Sequence, residues 1–318
     1  MINDDEKKKL IKVAKMYYLE ELTQAVIAKK IGVSRPIISK MLQQAKEEGI
    51  VKISILDDGF DVIEREQKIA AKFGLREVII TSTENMNQEQ ALRAVGKATA
   101  NYVSKSLRSI KRLGVSWGKS LYEMVREYPI EQRDVSVIPL VGGMGPKEVA
   151  LHANQIAYEF AKKINGQCES LYAPAMVATV EQKEGLTGLP FIASVLEQGK
   201  QCDMAVVGIG NPYEHSTMYE IGYLSDEDIE ELKEAKVVGD ISSKYILETG
   251  EIAAVSINQR GIGIELEDLK NIDKVIGVAR GVYKVKSILA ALKGEYVDVL
   301  ITDDETANAL IESFEDKN

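Results

Sequence analysis

The sequence predicts an α/β protein with a small helical module at its N-terminus and a larger part in which strands and helices alternate. Two observations carry this. Residues 22–53, LTQAVIAKKIGVSRPIISKMLQQAKEEGIVKI, hold two helical patterns separated by a glycine. Beyond residue 57, short apolar runs rich in β-branched residues alternate with segments of helical period, the pattern of a mainly parallel sheet covered on both faces. A length of 318 residues suits about two domains. The break at Asp57-Asp58-Gly59 reads as a hinge or linker start and sets them at 1–56 and 57–318.

In the first domain an amphipathic helix, Lys7 to Tyr18, precedes the two patterns. Thr23 caps a helix with Val26, Ile27 and Ile31 on its apolar face, and Ala28 lets a second helix pack close. Gly32 supplies the turn, Ser34 is a second N-cap, and Pro36 fits the first turn of the next helix. That helix turns Ile37, Ile38, Met41, Leu42 and Ala45 inward and leaves Arg35, Ser39, Lys40 and Gln43 outward. This is the layout of a helix-turn-helix, in which the start of the second helix enters the DNA major groove. Gly49 to Ile53 then reads as a strand or wing. Arg35 is the expected base reader, because its planar fork matches guanine O6 and N7. Thr23, Gln24, Ser34, Pro36, Ser39 and Lys40 complete the expected DNA face, with Ser34, Ser39 and Lys40 on phosphates. An ordinary helical hairpin with a solvated charged face is the competing reading.

The net charge of −9 separates along the chain. Residues 1–56 hold 11 Lys+Arg and 7 Asp+Glu, a net of +4; the rest holds 29 and 42, a net of −13. The basic surplus therefore falls on the module expected to meet DNA. It is small, so tight binding calls for two or more copies acting together. Cys168 and Cys202 are far apart with no metal spacing and read as reduced core residues. With His152 and His215 as the only histidines, a catalytic His triad or a His-based metal site is not expected. No signal peptide and no apolar run near twenty residues is present, which predicts a cytoplasmic protein that does not span a membrane.

In the second domain strands are expected at Glu77–Thr81, Ser109–Val115, Val135–Leu140, Met204–Ile209, Ala235–Gly239, Val275–Ala279 and Val297–Thr302. Helices are expected at Gln88–Lys105, Gly118–Glu127, Leu151–Lys163, Asp226–Lys233, Lys284–Leu292 and Asp304–Phe314. Ligands of such sheets sit at the carboxyl ends of the strands. There the sequence places several turns. Leu113 to Leu121 (LGVSWGKSL) runs from a strand through a Gly/Ser turn into a helix and offers backbone N–H groups, Ser116, Lys119 and Ser120 to an anion. It reads equally as a plain strand-to-helix turn. Leu140 to Pro146, Val207 to Pro212 and Val238 to Ile241 follow, with Asp240 a candidate acceptor for sugar hydroxyls. Ala279 to Lys284 places Lys284 at a helix start, suited to a phosphate. In Thr302 to Ala307, Asp303 or Asp304 reads as a helix N-cap as readily as a ligand contact. No GxGxxG unit with a downstream acidic residue exists, which argues against a dinucleotide-dependent dehydrogenase.

These segments in their order resemble the SorC/DeoR-type sugar-responsive bacterial transcription regulators: the TQAVIAKKIGVSRPIISKMLQQAKEEGIVKI run, then GVSWGKSL, PLVGGMG, HANQIAYEFA, CDMAVVGIG, VGDI, ARGVYK and LITDDETA. The resemblance implies a winged helix-turn-helix domain and a Rossmann-like α/β effector domain, similar to the sugar-phosphate isomerase and CoA-transferase folds. It also implies a phosphorylated sugar effector, operator DNA as partner and a homo-oligomer, typically a tetramer. The effector positions it implies are Ser116, Gly118, Lys119, Ser120, Gly143, Asp240 and Lys284. Arg280 departs from the pattern, standing where glycine is usual, and Lys119 stands where arginine is frequent. The expectation is therefore a DNA-binding regulator, a repressor of a carbohydrate-utilisation operon, with no cofactor, metal or catalytic residue. The alternative is a sugar-phosphate isomerase-like enzyme with an appended DNA-binding module. Asp240, Asp303 and Asp304 are its candidate bases, but they lack a catalytic constellation.

Overall fold

The structure is a computed structural model, which describes residues 4–20, 22–51, 58–143, 145 and 147–315. The chain divides into two compact units, residues 1–58 and 59–318.

The first unit holds α1 (Asp4–Tyr18), α2 (Gln24–Ile31) and α3 (Arg35–Glu47). Thr23 Oγ1 accepts the Val26 N–H at 3.4 Å and starts α2. The helix stops at Gly32, whose φ of 77° turns the chain and whose N–H returns to the Ala28 carbonyl. Ser34 has the extended backbone of an N-cap but makes no side-chain capping bond, unlike the expectation for it. Val13, Ile27, Ala28, Ile38 and Leu42 close one apolar cluster; Leu10, Ala14 and Ala45 form another. Two residues expected inward are exposed, Val26 at 43% and Ile37 at 47%. Successive helical residues point about 100° apart, so Ile27 and Ile38, by facing the core, turn their preceding neighbours away from it. Of the expected wing, Gly49 to Val51 form a turn and bend rather than a strand, and Lys52 and Ile53 lie outside the described residues.

The boundary between the units falls at the start of α4 (Asp58–Phe73), so Asp58 and Gly59 begin a helix instead of a linker; Asp57 lies outside the described residues. There follow β1 (Glu77–Thr81), α5 (Gln88–Ser106), β2 (Arg112–Val115), α6 (Lys119–Glu127), β3 (Ser136–Pro139), α7 (Ala153–Ile164), β4 (Gln167–Cys168), α8 (Val180–Thr187) and α9 (Pro190–Lys200). Next come β5 (Met204–Gly210), α10 (Thr217–Glu220), α11 (Asp226–Glu234), β6 (Val237–Ile241), β7 (Lys244–Leu247), α12 (Ser256–Arg260) and α13 (Leu266–Lys270). The chain closes with β8 (Lys274–Val278), α14 (Val285–Lys293), β9 (Val299–Asp303) and α15 (Asp304–Glu315).

The strands lie in the order β1-β9-β8-β5-β2-β3-β4, all parallel; β6 pairs antiparallel with the end of β5, and β7 with β6. Alternate residues feed two cores. Ala205, Val207 and Ile209 of β5 join one apolar cluster, while Met204 and Val206 join the other. All five residues of β9 are buried, as in a sheet with helices on both faces. After β2 the chain moves outward through β3 and β4, then returns to lay β5 on the other side of β2. This reversal makes the carboxyl ends of β2 and β5 a topological switch point, where open α/β sheets bind ligands.

Candidate functional site

A cavity of about 630 Å³ opens at that switch point. Its walls come from the starts of α5 and α6, the end of β5, α10, Asp240 of β6 and the β8–α14 turn. Free N–H groups at the starts of α5 and α6, and the positive ends of those helices, favour an anion there.

Three cations line the cavity. Lys284 is the N-cap of α14, and its Nζ donates to the Ile209 carbonyl at 2.9 Å. Burial pushes this ammonium down to about 8; Asp240 opposes the shift, and Arg280 and Lys119 add to it by like-charge repulsion. Arg280 donates to Gln88 Oε1 at 2.8 Å, to the Gln88 carbonyl at 3.4 Å and to Asp303 Oδ2 at 3.3 Å, which ties the β8–α14 turn to α5 and β9. Lys119, at the start of α6, pairs with Glu220 at 3.3 Å. Both partners are about half exposed, so this pair contributes little and yields readily to a ligand.

Asp240 is the buried acid of the site. Burial raises its carboxyl to about 6, against the pull of Lys284 and the Ser243 N–H, which donates to Oδ2 at 3.3 Å. It pairs across the antiparallel ladder with Gly210, where an added Cβ would lie 2.0 Å from Asp240 Oδ1. Glycine at 210 is thus the condition for a carboxylate at 240.

The turn that presents α6 is held from below. Gly118 has φ 117°, a conformation that side chains disfavour, and its N–H donates to the Leu151 carbonyl. Ser116 is buried and accepts a 2.9 Å bond from Ser242 Oγ; Trp117 Nε1 donates to Ser243 Oγ at 3.0 Å. Ser242 and Ser243 form the two-residue turn between β6 and β7, both left-handed at φ 52° and 65°. Two residues with positive φ are what such a hairpin needs, and glycine or asparagine normally supplies them. A serine there costs roughly 1–2 kcal/mol per residue.

Of the residues expected to meet an effector, Gly118, Lys119, Ser120, Asp240 and Lys284 line the cavity. Ser116 stands behind the wall. Gly143 is not among the lining residues: its N–H donates to Ala173 and its carbonyl accepts from Ala175 and Tyr223. The close approach in this turn falls on the neighbouring Gly142, where an added Cβ would lie 2.4 Å from the Pro174 carbonyl oxygen. Asp303 caps α15 through the Thr306 N–H at 2.8 Å, and Asp304 is bonded by Thr83, which holds its carboxyl below the usual range despite its partial burial. Gln88, Asn211 and Trp117 were not assigned from sequence. Asn211 donates to the Tyr283 carbonyl at 2.7 Å and joins the two turns beside Lys284. The capping box of Asn87 and Gln90, a readable signal, marked the helix start that brings Gln88 to the site.

In the first unit Thr23, Ser34, Arg35, Pro36, Ser39 and Lys40 are exposed and Gln24 is half-buried. Among the described residues, no cluster of His, Cys, Asp or Glu could hold a metal ion, and no helix is long and apolar enough to cross a membrane.

The Sugar-bind family, a sugar-binding domain, matches residues 57–312. The sorbitol operon regulator of Klebsiella pneumoniae is 30% identical over 98% of this chain and 100% of its own length. The deoxyribonucleoside regulator of Bacillus subtilis is 31% identical over 97% of this chain and 99% of its own. Among solved structures, the full-length Klebsiella sorbitol operon regulator aligns with a TM-score of 0.76 at 30% identity, covering 97% of this chain and 100% of that one. A DeoR family regulator from Listeria monocytogenes gives 0.74 at 42% identity, covering 78% of this chain and 98% of that one. The chain belongs to the SorC/DeoR-type transcriptional regulators with a sugar-binding domain. These relatives are regulators and not enzymes, which sets aside the isomerase alternative.

Proposed function

We propose that this chain represses a carbohydrate-utilisation operon and that a phosphorylated sugar in the cavity controls its affinity for operator DNA. In this reading 1–56 and 57–318 act as the DNA-binding and effector domains. The observation that carries it is the convergence of Lys119, Arg280, Lys284 and the starts of α5 and α6 on one cavity at the switch point. A phosphate takes the cationic side, with the α6 N–H groups, Ser120 and Lys284 as donors. Asp240, ionised above about pH 6, accepts from sugar hydroxyls. Arg280 narrows the side toward Gln88 and adds a positive charge that the resemblance does not supply.

On the DNA side, α2 and α3 act as a helix-turn-helix. Arg35 at the first position of α3 reads a base edge, Ser34, Ser39 and Lys40 contact phosphates, and Thr23, Gln24 and Pro36 complete the DNA face. A homotetramer supplies the several DNA modules that a surplus of four positive charges calls for. Support comes from the named roles of the sorbitol operon and deoxyribonucleoside regulators. The effector acts by binding two states of the regulator with different affinity, a coupling of about 1–3 kcal/mol.

A thermal-shift screen of the full chain against sugar phosphates and their free sugars tests the effector. A bound ligand at a hundredfold excess over its Kd stabilises by about 2.7 kcal/mol. A rise in Tm with one sugar phosphate and none with its free sugar is expected; no rise with any phosphorylated sugar overturns the assignment.

A further inference from the structure

The β6–β7 hairpin turn is unusual in three ways at once. Its two residues are serines in left-handed conformations, it is buried although hairpin turns ordinarily face solvent, and both hydroxyls bond to the turn between β2 and α6. Glycine would relieve the backbone, so the hydroxyls are what serine adds at these positions. Ser243 joins two groups, its Oγ accepting the Trp117 indole N–H and its N–H donating to Asp240, while its neighbour Ser242 donates to Ser116. Trp117 lines the cavity and immediately precedes Gly118 and the start of α6. On the far side of the turn, Lys244 is buried and anchored to Glu265 at 2.6 Å and to the Asn258 carbonyl at 3.1 Å, so the hairpin is a fixed post.

We infer that Ser243 is a positioning residue of the effector cavity: through Trp117 it sets the α6 start that receives the anion, while also donating to the Asp240 carboxylate that faces the same cavity. Ser243 is not itself a lining residue. This rests on the anion reading given above, and one variant separates the two. Ser243→Gly keeps the backbone N–H to Asp240, suits a φ of 65° better than serine does, and removes the hydroxyl together with its single carbon. A purely structural role for Ser243 predicts that stability and ligand affinity change in the same direction. The positioning role predicts that they part: Tm equal to or above wild type, with weaker ligand binding.

Trp117 is the only tryptophan in the chain, so its emission reports on the latch directly. The experiment titrates inorganic phosphate into full-length wild type and Ser243→Gly, reading Trp117 emission, acrylamide quenching and Tm. We expect a shifted emission and easier quenching in Ser243→Gly without phosphate. We also expect phosphate affinity reduced about three- to tenfold, the loss that follows from one hydrogen bond. Unchanged emission and quenching overturn the latch. Altered emission with unchanged phosphate affinity overturns the positioning role while leaving the anion reading intact. A wild type whose emission and Tm ignore phosphate overturns the anion reading, and with it the role assigned to Ser243.

Discussion

Replacing Lys284 by methionine removes one charge and keeps most of the side-chain volume. The ammonium lies 2.9 Å from the Ile209 carbonyl, beside Asp240, with Arg280 and Lys119 near enough to lower its proton affinity. At about 8 it is still roughly nine-tenths charged at pH 7. A hydrogen bond from a charged donor contributes about 1.5–3 kcal/mol, so Lys284→Met should weaken sugar-phosphate binding by about 10- to 150-fold at pH 7. Binding of the free sugar should change much less. The pH dependence is a second signature. Because burial lowers Lys284, wild-type affinity should fall as pH rises through about 8, whereas the phosphate dianion and Asp240 are already ionised there. The bound anion restores proton affinity to Lys284, so binding near pH 8 takes up protons. Calorimetry at pH 7 and 9, in two buffers of different ionisation enthalpy, measures both effects. Equal affinity in Lys284→Met, or a wild-type profile flat from pH 7 to 9, removes Lys284 from the anion site.

Three further outcomes are expected. Asp240 has its folded carboxyl raised from 3.8 to about 6, so the native state binds the extra proton and stability falls as pH rises through that window. Asp240→Asn should therefore raise stability near pH 7, by about 1–2 kcal/mol once the lost counter-charge for Lys284 is allowed for, with the gain shrinking toward pH 4; denaturant melts at both pH values measure it. Gly210→Ala puts a Cβ 2.0 Å from Asp240 Oδ1 and should destabilise by about 1–3 kcal/mol, less when combined with Asp240→Ala, in a double-mutant cycle of denaturant unfolding. Arg35→Ala should lose about 1–3 kcal/mol of discrimination at one base position in binding to randomised DNA; uniform weakening across sequences makes Arg35 a phosphate contact instead.

Much of the fold was legible because the sheet is buried on both faces. Met204–Gly210 holds no polar side chain and β9 begins with the apolar run Val299–Ile301, and polar helix starts follow them. What stayed hidden lacked such contrast. Helix α8, VEQKEGLT, buries no residue and so carries no apolar stripe, and β4 is two residues long. Strand β7 escaped because its hairpin turn is Ser242-Ser243, without the asparagine or glycine that signals one. The site was readable through strand-to-helix turns, which named Gly118, Lys119, Ser120, Asp240 and Lys284. The same signal named Gly143, which lies outside the cavity lining with its backbone bonded to Ala173 and Ala175. Contacts across long sequence separations, such as Arg280 with Gln88 or Trp117 with Ser243, leave no local pattern to read.

Effector binding in the cavity and operator binding by the first unit meet in a single experiment. Full-length protein selects its operator from random-sequence duplexes, and the affinity for that operator is measured with and without a saturating sugar phosphate identified by thermal shift, for wild type and Lys284→Met. Coupling of the two sites predicts a change of about 5- to 150-fold in wild type, and in Lys284→Met the same change only at sugar phosphate concentrations about 10- to 150-fold higher. An operator affinity in wild type that is the same with and without the bound sugar phosphate contradicts it.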